Sequence, residues 1–276
     1  MTCAALSTPE RRLPRPDGIA SGKPSPFDFN GRLTAVVAIL PMTHEAARAM
    51  LPAGLDLAAQ DVVPGDRHPL VLILGRQSDV RPGLLPLGAD YLEAILAVPF
   101  VQLREHGARP RGPLCYCPRL LLDRRLPIAV GRLLYHYDKR RALIRMTAHG
   151  YRIADPARGE LLLDAQFRAA AAPVEPSRRD AAMLFRLPVI SRAAHGWRLS
   201  LADVRLDRAL IAALELKLTI HRAFVSGLPV GEFDIARIDA SRAFRLNTRW
   251  RLLGPWARRS LPKLAPDPGR RRITAW

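Results

Sequence analysis

Residues 91–103 read YLEAILAVPFVQL. As a strand, this stretch places Tyr91, Glu93 and Ile95 on one face and Leu92, Ala94 and Leu96 on the other. Working outward, other apolar segments have strand length: RLTAVVAIL at 32–40, PLVLILGR at 69–76 and LCYCPRLLL at 114–122. Pro118 marks the last of these as an edge strand or a bulge. Two short helices interrupt the series. Thr43 N-caps HEAARAML, with Glu45 in its first turn and Pro52 ending it. Pro127 suits the first helical position of IAVGRLLYH, which ends before Asp138. Further on, ALIRMTAH (142–149) and ELLLDAQFR (160–168) flank the turn-prone DPARG (155–159), which predicts a hairpin. Strand-like segments recur near 183–190, 196–206, 212–222 and 232–247, although 207–218 also tolerates a helix. Too few helices separate these strands for a βαβ series. The expectation is therefore one α+β domain at 31–253, mainly antiparallel, between an arm at 1–30 rich in Pro, Gly, Ser and Arg and a basic, Pro-rich tail at 254–276.

Composition narrows the function classes. The 276 residues are 49% hydrophobic and 25% charged, which excludes wholesale disorder, a collagen-like chain and a coiled coil. Three cysteines, Cys3, Cys115 and Cys117, are too few for a disulfide framework and suit a reducing cytoplasm. No apolar run approaches the ~20 residues of a membrane helix, and no apolar segment followed by a cleavage site opens the chain. The net charge of +18 invites a nucleic-acid reading. Its arginines are scattered, however, and no zinc-finger, RNA-binding or basic amphipathic pattern accompanies them, so they read as a solvated surface with no specific nucleic-acid partner. Cys115-Tyr116-Cys117 alone cannot close a tetrahedral metal site and reads as two small buried hydrophobes. The seven histidines are dispersed, and there is no GxSxG, Walker or GxGxxG pattern. No metal or cofactor is expected.

Lysine occurs only at positions 23, 139, 217 and 263, so each is worth testing for chemistry that arginine cannot perform. An amine can lose its proton and form an imine with a carbonyl; a guanidinium effectively cannot. Residues 126–141, LPIAVGRLLYHYDKRR, hold the informative one. Lys139 beside Arg140 and Arg141 is a basic turn on the plainest reading, yet Ile128, Val130, Leu133, Leu134, Tyr135 and Tyr137 offer it a dry pocket.

This segment resembles the active-site segment of the acetoacetate decarboxylase family, in which glycine and arginine lead through aromatics to an imine-forming lysine. AILPMTHEAARAMLPAGL (38–55) and DYLEAILAVP (90–99) are similar to two earlier segments of that family, in the same order, so the likeness spans roughly 27–240. The resemblance implies an antiparallel β-barrel-like core with a few short helices, a homo-oligomer and a cofactor-free enzyme. It gives Lys139 the Schiff-base position and Arg140 that of a neighbouring cation that depresses the lysine's pKa. One cation ~6 Å away supplies on the order of 3 kcal/mol toward the neutral amine. Glu93 takes a proton-handling position, and Arg32 that of an arginine meeting the substrate carboxylate. Three features depart from the family: Leu133 replaces a glutamate, Asp138 replaces a proline, and a second acidic residue expected on the strand near 70–74 is absent, that stretch reading LVLIL. The reaction implied is decarboxylation of a small β-keto acid to a ketone. The alternatives are an imine-forming aldolase-dehydratase or hydrolase acting on keto acids, and a catalytically silent ligand-binding member.

Overall fold

A computed structural model describes residues 28–83, 88–104, 111–170, 178–206, 209–235 and 242–257. Elements are numbered in chain order. Seven strands pair in a closed ring: β1 (Phe29–Thr43), β3 (Arg67–Pro82), β4 (Ala89–Leu103), β5 (Arg111–Leu122), β10 (Val189–Ala193), β11 (Gly196–Val204) and β14 (Ala243–Ala257), which returns to β1. All these contacts are antiparallel except β5 with β10. The expected barrel-like core is therefore present. From β14 the sheet continues through β12 (Leu210–Ile220), β9 (Leu161–Ala169), β8 (Gly150–Ala154) and β7 (Leu143–Met146), with β13 (Gly231–Asp234) on the other edge of β12. Two three-residue strands complete it: β2 (Leu55–Leu57) on β4, and β6 (Lys139–Arg141) parallel to β5.

The long apolar strands are explained by burial on both faces. Leu33, Ala35, Val37 and Ile39 of β1 pack inside the ring with Val71 and Ile73 of β3. Val36, Ala38 and Leu40 face the other way, with Leu70, Leu72 and Leu74, and are covered by Leu216, Leu218, Tyr151 and Ile153 of the extension. The Tyr151 hydroxyl donates to the Gly75 carbonyl at 3.3 Å, tying this outer layer to the ring. The face division expected for β4 holds, with Leu92, Ala94 and Leu96 in the outer core and Tyr91 and Ile95 facing inward. Pro118 sits where the β4–β5 register shifts, between the Leu96–Arg119 and Val98–Tyr116 pairs, as a bulge.

Three helices accompany the sheet: α1 (His44–Ala49), α2 (Arg125–Tyr135) and α3 (Arg178–Arg186). Thr43 caps α1 as expected, its hydroxyl accepting from the Ala46 amide at 3.2 Å. In α2, Pro127 is the third helical residue rather than the first, still within the turn whose N–H groups lack helical partners. The helix stops at His136, which turns left-handed with φ 55°.

Three expectations are corrected. Segment 142–149 does not pair with 160–168; β8 lies between them, joined to β7 by a turn in which the Thr147 amide donates to the Gly150 carbonyl at 2.8 Å. DPARG does turn the chain, with the Asp155 carboxylate accepting from the Ala157 and Arg158 amides, but it joins β8 to β9. The strand expected near 183–190 begins as α3, because Ala181 and Leu184 recur at helical spacing on a buried side. The segment 232–247 is two elements, β13 and β14, with 236–241 outside the described residues.

Most of the 1–30 arm and the tail beyond 257 also lie outside the described residues; Phe29, Asn30 and 254–257 belong to ring strands. No helix among the described residues is long and apolar enough to cross a membrane.

Candidate active site

The inner face of the ring and α2 line a cavity of about 680 Å³, with α3 contributing to its wall. The crossover from β5 through α2 to β6 places Lys139 in its wall. Lys139 pairs with Leu120 of β5, and Leu122 two residues on pairs with Glu93 of β4, so three adjacent strands bring amine and carboxylate together. Lys139 Nζ lies 3.2 Å from Glu93 Oε1. Both residues are buried, at 8% and 4% exposure. The Lys139 carbonyl accepts from Arg132 Nε at 2.6 Å and its amide donates to the Tyr137 carbonyl at 2.8 Å, which fixes the backbone from which the side chain projects.

Gly131 of α2 makes room for that side chain. A Cβ there would lie 2.5 Å from both Cδ and Cε of Lys139. A glycine inside a helix costs ~1 kcal/mol relative to alanine, and the close approach of the lysine stem is the physical reason for it here.

Glu93 is held from behind. Its Oε2 accepts from Gln77 Nε2 at 3.1 Å, and Gln77 Oε1 accepts from Trp250 Nε1 at 2.8 Å. An indole N–H only donates, so Gln77 must turn its carbonyl to Trp250 and its NH₂ to Glu93, and the chain has one direction. Gly31 leaves space for the indole: a Cβ there would sit 3.1 Å from Trp250 Cζ2. Glu93 Oε1, by contrast, has the ammonium in ion-pair contact but no hydrogen bond of good geometry. Its accepting capacity is unspent.

Aromatic rings line the cavity around this pair. The ammonium lies 5.9 Å from the centre of the Tyr91 ring. Tyr135 and Tyr137 stack with centroids 5.6 Å apart, and the Tyr137 hydroxyl bonds Ser200 Oγ. Burial pushes the phenols of Tyr91 and Tyr137 well above the ordinary tyrosine value, and the Glu93 charge adds to this at Tyr91. These rings are therefore neutral walls. Cys115 and Cys117 also line the cavity; a hydrogen bond to Cys115 and then burial raise the Cys117 thiol well above its usual range, so it is no thiolate. No cluster of three or more metal-ligating side chains occurs among the described residues.

The site residues expected from sequence divide into two groups. Lys139 and Glu93 meet. Arg140 and Arg32 do not join them: neither lines the cavity. Strand alternation turns Arg140 outward, 58% exposed, where its Nε donates to Asp138 at 3.2 Å. Asp138 also pairs with Arg119 at 3.2 Å, so its charge is engaged on the outer face. Arg32 is exposed on β1 while its neighbour Leu33 points inward. Leu133, expected to make the pocket more apolar, is 76% exposed and leaves the lining to Val130 and Leu134. Sequence reasoning missed Gln77 and Trp250, which are 173 residues apart and carry no local signal.

No protein-family model matches the sequence, and no curated protein does. Solved structures match along most of the chain. An acetoacetate decarboxylase from Legionella pneumophila superposes with a TM-score of 0.53 at 13% identity, over 91% of this chain and 96% of that one. The chain has the acetoacetate decarboxylase-like fold. An acetoacetate decarboxylase-like enzyme from Sphingomonas wittichii RW1 gives 0.56 at 14% identity, covering 83% and 91%. The enduracididine biosynthesis enzyme MppR, complexed with the condensation product of pyruvate and imidazole 4-carboxaldehyde, gives 0.55 at 15%, covering 87% and 92%. At these identities the present chain is a divergent example of the decarboxylase-like fold.

Proposed function

We propose that the protein is an imine-forming enzyme that decarboxylates a β-keto acid, with Lys139 as the nucleophile and Glu93 as the proton carrier. The observation that carries this reading is the buried 3.2 Å contact between Lys139 Nζ and Glu93 Oε1 in the wall of an apolar cavity. The ammonium passes a proton to Glu93, and the neutral amine adds to the keto carbon. The nitrogen gives one proton to the keto oxygen and Glu93 returns the other, so the oxygen leaves as water and a protonated imine remains. The bond to the carboxylate then breaks; CO₂ departs, and the electron pair moves into the iminium to give an enamine. A proton from solvent, carried by Glu93, goes to the enamine carbon. Water hydrolyses the resulting iminium, releasing the ketone and restoring the lysine ammonium. The imine itself is the electron sink, so these steps use only this chain's residues and water. The first Glu93 transfer spans the observed 3.2 Å between Nζ and Oε1, within the reach that general acid–base catalysis needs.

A second reading keeps the imine and lets the enamine attack an aldehyde instead. It draws on the free accepting capacity of Glu93 Oε1 and on the condensation product held by MppR.

The test is borohydride trapping with acetoacetate, pyruvate and a medium-chain β-keto acid, followed by digestion and mass mapping. An adduct on Lys139 that is absent from Lys139→Arg is expected, with CO₂ release from the β-keto acids. A folded protein with no Lys139 adduct from any of the three refutes imine chemistry. An adduct without CO₂ release transfers the case to the aldol-type reading.

A further inference from the structure

We infer that the carbonyl compound taken by this cavity carries an extended, uncharged apolar body, rather than being a small keto acid; this rests on the reading of Lys139 and Glu93 as its reactive centre. Three observations converge. The cavity, at about 680 Å³, has the size of pockets that enclose drug-sized ligands and far exceeds what a short keto acid fills.

Its shape follows the strands. On β4, Glu93, Ile95, Ala97 and Pro99 all line it, and at ~3.3 Å per residue the wall runs roughly 13–20 Å beyond Glu93. On the neighbouring strand Gln77, Ile73 and Val71 line the same length, and Val71 pairs with Ala97 at the far end. Two adjacent strands thus describe one channel, with the polar Gln77–Glu93 pair part-way along it, Val80, Ala89 and Tyr91 on one side and the aliphatic run Ile73, Val71, Ile95 and Ala97 on the other. Leu184, Phe185 and Leu187, in and after α3, add further apolar wall.

The third observation is charge. Lys139 is the single cationic side chain among the described lining residues, and Glu93 balances it. A second charged group on a ligand would meet no partner among the described lining residues, and an unpaired buried charge is strongly disfavoured. Water filling the channel would meet few polar atoms along Ile73, Val71, Ile95 and Ala97, so a hydrocarbon chain or flat ring is its natural occupant.

Two readouts separate this inference from the imine reading. Binding of methyl heptyl ketone and of acetone, measured by calorimetry on the full chain, needs no imine and decides the tail. Borohydride trapping with β-oxodecanoate and acetoacetate, which share a head group, decides the imine. Each buried methylene is worth roughly fourfold in affinity, so six additional ones give a gain of about thirtyfold or more even after ordering the chain. The expected result is one methyl heptyl ketone bound per chain at least about thirtyfold more tightly than acetone, and faster trapping of β-oxodecanoate on Lys139. Equal binding of the two ketones overturns the inference, whatever the trapping shows. Tight binding of the longer ketone with no adduct from either acid supports the apolar channel and refutes the imine.

Discussion

Replacing Gly131 with alanine separates the chemistry of this site from its stability. The new Cβ would fall 2.5 Å from Lys139 Cδ and Cε, whereas ordinary contact begins at 3.4 Å, so the lysine stem must retreat by about 0.9 Å or more. The stem is enclosed, with the side chain 10% exposed, and its retreat carries Nζ away from Glu93. Misplacing a reacting group by about 1 Å costs on the order of 10²-fold. The opposing terms in stability are smaller. Alanine is favoured over glycine in a helix by ~1 kcal/mol, while overpacking costs about 1–3 kcal/mol. The net loss is at most ~2 kcal/mol, several degrees of melting temperature. The assay is the initial rate of borohydride-trapped adduct on Lys139, run beside a thermal melt. A fall of about thirtyfold or more, with a cooperative melt retained, is expected. A trapping rate within threefold of the parent would show that Lys139 reacts from some other position, and the site geometry argued above would be wrong.

Other perturbations probe the same network. At 3.2 Å and an effective dielectric of ~20, the gross attraction between Lys139 and Glu93 is about 5 kcal/mol. Glu93→Gln and Lys139→Met each strand a buried partner and should each lower stability by about 3 kcal/mol, while the double variant recovers most of it; additive losses by denaturant titration would rule out the pair. Trp250→Phe removes the donor to Gln77 and should slow trapping about three- to tenfold; a change below twofold would free Glu93 from that relay. His68 is buried, with Nε2 2.8 Å from the Pro99 carbonyl. Burial first, then nearby His44 and Arg48, hold its pKa below the ordinary 6.5. Because the folded state disfavours the imidazolium, its contribution to stability is full above pH ~6.5 and is lost as pH falls through its lowered folded value. Chemical denaturation at pH 7.5 and 5.5 should show a smaller acid loss in His68→Gln than in the parent; equal losses would remove His68 as the cause.

The sequence revealed strands whose identity is local. PLVLILGR and YLEAILAVPFVQL are long, apolar and β-rich, and burial on both faces of the ring is what such runs require. Five-residue β8 was hidden because Tyr151 and Ile153 alone make too brief an alternation beside the stronger DPARG turn. α3 was misread because its apolar side chains also suit a strand, and tertiary packing of Ala181 and Leu184 decides between them. Lys139 and Glu93 were legible from residue type and resemblance. Gln77 and Trp250 were not, since their partnership exists only once β3 and β14 close on β1.

Alternation also changes the charge logic of the site. Lysine and arginine adjacent in sequence look like two cations acting together, but neighbours on β6 face opposite ways. The Lys139 amine meets a carboxylate, while Arg140 is engaged with Asp138 outside. This arrangement suits the proposed reaction without an arginine to hold the substrate. After imine formation the cavity contains an iminium, the substrate carboxylate and Glu93. Release of CO₂ abolishes the first two charges together, and an apolar cavity favours a step that destroys charge. A cation anchoring the carboxylate would stabilise the reactant more than the transition state and oppose that gain. Arg32→Ala and Arg140→Ala should therefore leave trapping and CO₂ release within twofold of the parent, with little change in stability because both side chains are exposed. A tenfold fall in Arg140→Ala would mean that its charge reaches the amine across the sheet, and the Lys139–Glu93 ion-pair account of this site would have to give way to a two-cation one.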